Sequence, residues 1–112
     1  MNHEWTPDDP FDVLADETAR QILASTRASP RSARELADRC DGCLSGIYRR
    51  VEVLTEYDLL DEETRIDPDG HHHSIYACRV DALEVSLWNE EIRVATPDTT
   101  YTERHPPAEG PS

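Results

Sequence analysis

The sequence predicts an α+β fold in which three to four short helices precede two β-hairpins. Two observations carry this expectation: apolar residues recur at helical spacing through the first half of the chain, and beyond about residue 60 the pattern changes to strand-like alternation broken by turn sequences. A third observation sets the scale, because 112 residues of which 37% are hydrophobic supply one small core rather than two. The regular pattern occupies residues 10–95, expected to be a single domain. Residues 1–9 read as a flexible polar arm. Residues 96–112 contain Pro97, Pro106, Pro107, Gly110 and Pro111 and read as a disordered tail.

Phe11, Leu14 and Ala15 make one helical turn. Asp16 then stands as an N-cap before Ala19, Ile22, Leu23 and Thr26, which repeat at i, i+3, i+4, i+7. Ser32 and Glu35 form an S-x-x-E capping box, in which each side chain satisfies a backbone N–H of the first turn, and Ala33, Leu36, Ala37 and Cys40 continue the apolar stripe. Asp41-Gly42 breaks this third helix. A longer one follows over about 44–57, burying Ile47, Val51 and Leu54. Two helices joined by a tight glycine turn make a helix-turn-helix.

After Leu59 and Leu60, strands at 63–67 and 72–80 flank Asp67-Pro68-Asp69-Gly70, where proline and glycine occupy positions that turn geometry favours. This hairpin is the candidate wing. A second hairpin is suggested by alternation of Leu83, Val85 and Leu87, then Ile92 and Val94, about a polar turn near Asn89-Glu90. Two strands have too little to pack against alone, so this hairpin is expected to cover the core or a partner subunit.

Charge is the most unusual property. The chain has 24 acidic residues against 11 basic ones, all arginine, for a net charge of −13. Such an excess is self-repelling in dilute buffer, whereas at molar salt the Debye length falls to about 3 Å and the repulsion is screened; the composition suggests a halophile. Mean hydropathy of −0.72 would suit a disordered chain, but the apolar periodicity over residues 11–94 argues for a fold. Three cysteines (Cys40, Cys43, Cys78) make no disulfide framework and suit reduced thiols. No apolar run is long enough for a bilayer and the N-terminus is not signal-like, so a cytoplasmic protein without membrane partners is expected.

Against this acidic background residues 31–50 hold five arginines (Arg31, Arg34, Arg39, Arg49, Arg50) and three acids (Glu35, Asp38, Asp41). The locally basic stretch is the helix-turn-helix. At 100° per residue Ser45, Arg49, Glu52 and Glu56 fall opposite the buried stripe of the second helix, with Tyr48 and Arg50 on its shoulders. A helix entering the DNA major groove needs donors near its N-terminus, because arginine binds guanine O6 and N7 bidentately and small residues allow close phosphate approach. Ser45, Gly46, Tyr48, Arg49 and Arg50 supply that mixture. The competing reading of Arg49 and Arg50 is solvated helix surface.

The runs Ile47-Tyr48-Arg49-Arg50-Val51-Glu52-Val53-Leu54, Leu59-Leu60 and Arg65-Ile66-Asp67-Pro68-Asp69-Gly70-His71-His72 resemble haloarchaeal ArsR-type winged helix-turn-helix regulators, as does the opening from Phe11 to Leu23. The resemblance covers about residues 10–95. It implies a winged helix fold, a homodimer and binding to double-stranded operator DNA. It also implies a wing whose Arg65, His71, His72 and His73 reach the minor groove or phosphates; a polar solvent hairpin is the other reading. Cys43-Leu44-Ser45-Gly46 departs from the Ser and Pro-Thr sequence usual at the start of the recognition helix.

Cys40-x-x-Cys43 has metal-ligand spacing, and His71, His72, His73 and Cys78 have donor groups that would complete a zinc site. However, the Glu-Leu-Cys-x-Cys box of ArsR-type metal sensors is not matched, since Ala37-Asp38-Arg39 follows Glu35-Leu36. Cys40 fits the apolar stripe and Cys43 an N-cap, so packing is preferred to redox or metal roles and no cofactor is expected. No Gly-rich phosphate loop or G-x-S-x-G motif occurs, and an enzyme is not expected. The reading is therefore a sequence-specific transcriptional regulator: a recognition helix over 44–57 with Arg49 on bases, Arg50 and Arg34 on phosphates, and a wing over 63–80. The alternative is a winged helix module for protein interaction and dimerisation that does not touch DNA; the charge of −13 favours it, although a DNA binder adapted to high salt would be acidic too.

Overall fold

A computed structural model of the chain describes Trp5, Pro7 and residues 9–40, 43–88, 90–95 and 100–104. These form two compact units, residues 1–81 and 82–112.

In the first unit α1 (Pro10–Ala15) begins with proline after the Asp9 cap, whose carboxylate accepts the Asp12 N–H at 3.0 Å. Asp16 then caps α2 (Glu17–Ala28) by accepting the Ala19 N–H at 2.7 Å. Ala19, Ile22 and Thr26 face inward, and the buried Thr26 hydroxyl is satisfied by donating back to the Ile22 carbonyl at 2.7 Å. Both halves of the capping box at Ser32 and Glu35 are formed and start α3 (Ala33–Arg39). The Asp41-Gly42 turn lies outside the described residues. The chain resumes at Cys43 and enters α4 (Leu44–Glu56).

The exit from α4 turns on Asp58, which adopts φ +60° so that the Leu59 N–H reaches back to the Leu54 carbonyl at 2.9 Å. Strand β2 (Leu60–Ile66) starts three residues earlier than the alternation indicates, because Leu59 and Leu60 enter the core as the strand begins. It pairs antiparallel with β3 (His72–Cys78), from Leu60 opposite Cys78 to Ile66 opposite His72. A two-residue strand β1 (Arg31–Ser32), with no sequence signature of its own, pairs with β3 and gives the order β1-β3-β2. Ile22, Leu36, Ile47, Val51, Leu54 and Leu60 fill the core between helices and sheet. Four helices, a helix-turn-helix and a β-hairpin wing make this unit the α+β winged helix arrangement.

The second unit is a separate antiparallel sheet of β4 (Glu84–Trp88), β5 (Glu91–Ala95) and β6 (Thr100–Arg104), in that order. The expected second hairpin is therefore two strands of three. Thr100–Arg104, expected in a disordered tail, pairs along β5 with Tyr101 opposite Val94. Its Thr-Tyr-Thr core suits a strand, and a paired edge satisfies backbone groups that the prolines further along cannot. Val85 and Leu87 on β4 are exposed, whereas Val94 is buried. Among the described residues no helix is long and apolar enough to cross a membrane.

Candidate nucleic-acid interface

Helix α4 is amphipathic with an unequal outer surface. Ile47, Val51 and Leu54 face the core, and Ser45, Tyr48, Glu52 and Glu56 are exposed on the far side. On one flank lie Trp5 and Pro7. Val53, nearly opposite the core stripe, is also buried; Pro7, Arg49, Val53, Glu56 and Tyr57 line one shallow depression there. Of residues 1–9, expected to be a flexible arm, Trp5 and Pro7 lie against α4.

Arg50 is committed inside the protein. Its Nε and Nη2 donate to Oδ2 and Oδ1 of Asp16 at 2.7 and 3.0 Å, a bidentate pair with side chains only 20% and 18% exposed. Its Nη1 donates to the Gly46 carbonyl at 3.2 Å, and its guanidinium lies 5.0 Å from the Trp5 ring centroid. Gly46 leaves room for this arrangement, since a Cβ there would stand 3.2 Å from Arg50 Nη1. The ion pair joins the junction of α1 and α2 to α4. Partial burial desolvates Asp16, but hydrogen bonds from Arg50 and the Ala19 N–H, with the charges of Arg50 and Arg20, hold its carboxyl below the usual aspartate value.

Arg49 is 30% exposed. Its Nε donates to the Trp5 carbonyl at 3.0 Å, and Nη1 lies 3.5 Å from Glu52. Arg34, on α3, is exposed and has no ion-pair partner among the described residues. On the opposite flank of α4, Tyr48 is half exposed; on β3 the pKa of the Tyr76 phenol is raised first by burial and then by the charge of Glu62.

Cys43 precedes α4 as N-cap without a side-chain cap bond. Its exposed thiol lies 3.2 Å from the Ser45 hydroxyl, and hydrogen bonds from that hydroxyl and then the Gly46 N–H lower its pKa. Cys40 is buried, in keeping with its place in the apolar stripe, and all three cysteines are free thiols.

At the wing tip Asp67 organises the turn by accepting the N–H groups of Asp69 and His71 at 3.1 and 2.9 Å, while Gly70 adopts φ +85°. One potential ligand atom from each of Asp67, Asp69 and His71 lies within 4.8 Å of the others, a grouping distinct from the cysteine-histidine set considered from spacing. The register separates the expected wing contacts. Arg65 stands opposite His73 on one face, and His72 opposite Ile66 on the other. Arg65 is half exposed and paired with Glu63 at 3.1 Å, and His71, His72 and His73 are exposed.

Sequence reasoning passed over Trp5, Val53 and the second function of Asp16. The available signal was a lone tryptophan in an otherwise polar arm. No curated protein matches the chain. Residues 14–63, running from the end of α1 through α2, α3 and α4 into β2, match the family model of a helix-turn-helix domain.

Proposed function

We propose that this protein is a DNA-binding transcriptional regulator of ArsR type, acting as a homodimer in the cytoplasm of a salt-adapted cell. The observation that carries the reading is the outer surface of α4 within the matched helix-turn-helix span: Ser45, Tyr48 and Arg49 are presented away from the core next to the N-terminus of the helix. Arg49 is the base-reading residue, Arg34 a phosphate contact, and Arg65 with His71 and His72 the wing contacts. Arg50 and Gly46 hold α4 in place rather than touch DNA. The exposed Val85 and Leu87 on β4 supply apolar surface for a second copy.

Fluorescence anisotropy with the chain's own upstream DNA against scrambled duplex, in molar KCl, tests this. Selective binding is expected, and Arg49→Ala is expected to lose about 1–3 kcal/mol and relax base preference. Absence of binding to any duplex by folded protein would favour the second reading, a protein-interaction module. That reading is supported by Glu52 and Glu56 on the outward face of α4 and by the same exposed pair on β4.

A further inference from the structure

Arg50 follows Arg49 on α4, and all three of its guanidinium nitrogens have an acceptor within the chain: Nε and Nη2 on the Asp16 carboxylate at 2.7 and 3.0 Å, and Nη1 on the Gly46 carbonyl at 3.2 Å. The carboxylate is itself fixed. Asp16 Oδ2 also accepts the Ala19 N–H at 2.7 Å as the N-cap of α2, and the Asp16 N–H donates to the Val13 carbonyl of α1 at 3.2 Å. One residue thus ties three helices, α1 through its backbone and α2 and α4 through its side chain. The core anchors of α4 are the apolar Ile47, Val51 and Leu54. Apolar burial holds the helix against the core but is non-directional, whereas a bidentate arginine–carboxylate pair fixes direction. With its side chains a helix is about 10–12 Å across, so a rotation of about 10° around its axis carries a side-chain tip about 1 Å sideways. Hydrogen bonds to base edges do not survive such a displacement, while attraction to the phosphate backbone does.

We propose that Asp16 is a positioning residue for DNA reading: through its bidentate bond to Arg50 it sets the rotation of α4, and with it the aim of Ser45 and Arg49 at the bases, without touching DNA itself. The inference rests on the DNA-binding reading above. Gly46 belongs to the same arrangement, since a Cβ there would stand 3.2 Å from Arg50 Nη1 and press on the guanidinium that Asp16 holds.

Two conservative variants break the pair. Asp16→Asn keeps a side chain that caps α2, and Arg50→Lys keeps the positive charge but not the planar fork. Anisotropy is measured for full-length wild type, each variant and their combination, on the upstream duplex and on scrambled duplex, over a series of KCl concentrations at which circular dichroism shows every chain folded. Each variant is expected to bind the upstream duplex about tenfold more weakly, the discrimination that one misaimed bidentate base contact carries. Affinity for scrambled duplex and the salt slope are expected to stay as in wild type, because no phosphate contact is lost. The combination should lose no more than either variant alone, since all three break the same bond. An unchanged ratio of upstream to scrambled affinity in the folded variants would overturn the positioning role and leave the pair to stability alone. Tighter binding of both duplexes by Asp16→Asn, with a steeper salt slope, would overturn it too, by showing that a released Arg50 meets phosphate. Either result leaves the DNA-binding reading intact, whereas failure of wild type to bind any duplex would overturn both.

Discussion

The inner flank of α4 and the tip of the wing carry similar polar residues and use them in opposite ways. At α4, Arg50 is four-fifths covered, bonded to Asp16 through two nitrogens and stacked on Trp5. At the wing, Arg65 and the histidines are exposed, Arg65 pairs only with the exposed Glu63 beside it, and Asp67 organises the turn. An arginine in a protein of this charge is therefore not a free cation by default; burial and a bidentate acceptor decide whether it is architecture or contact surface.

The comparison predicts different responses to substitution. The largest effect is expected in the core of α4, where Leu54→Ala removes a fully buried side chain and should cost about 2–5 kcal/mol by urea unfolding. Ile66→Ala at the wing, with the side chain 66% exposed, should change stability by less than about 0.5 kcal/mol. Similar losses at the two positions would mean that the wing is packed and not free.

Next is the ion pair. Arg50→Ala should cost about 2 kcal/mol at pH 7 by leaving a mostly buried Asp16 carboxylate without its partner. Because the folded-state pKa of Asp16 is lowered, its pairing contributes in full above the unfolded aspartate value of about 3.9 and is lost as pH falls through the lower folded value. The gap between wild type and Arg50→Ala should therefore narrow below about pH 4. A constant gap from pH 7 to pH 3 would assign the loss to packing on Trp5 rather than to charge.

Smaller effects test the local signals around α3 and α4. Ser32→Ala removes the hydroxyl half of the capping box and should lose about 1 kcal/mol. Asp58→Gly relieves a left-handed residue at the exit from α4 and should gain up to about 1 kcal/mol, both read from thermal unfolding in molar salt.

The helices were legible because their ends are written locally. Asp16 and Ser32 cap where the sequence places them, and the spacing of Ile47, Val51 and Leu54 identifies the core face of α4. The Asp-Pro-Asp-Gly turn similarly announces the wing. The candidate site was legible only in outline. Adjacent arginines at 49 and 50 look alike in sequence, and what distinguishes them is an acceptor 34 residues away and a tryptophan in the arm. Val53 lies off the Ile47-Val51-Leu54 stripe and is nevertheless buried.

The amino-acid sequence by itself determined the α+β class, the helix boundaries, the hairpin turn and the basic character of residues 31–50, all of which depend on neighbours within a few positions. Only the tertiary structure decided that residues 31–32 pair as a strand, that β6 completes a separate sheet and that Arg50 pairs with Asp16 while Arg49 donates to the Trp5 carbonyl. Those outcomes depend on pairing, burial and acceptors brought together from distant parts of the chain, for which local spacing carries no signal.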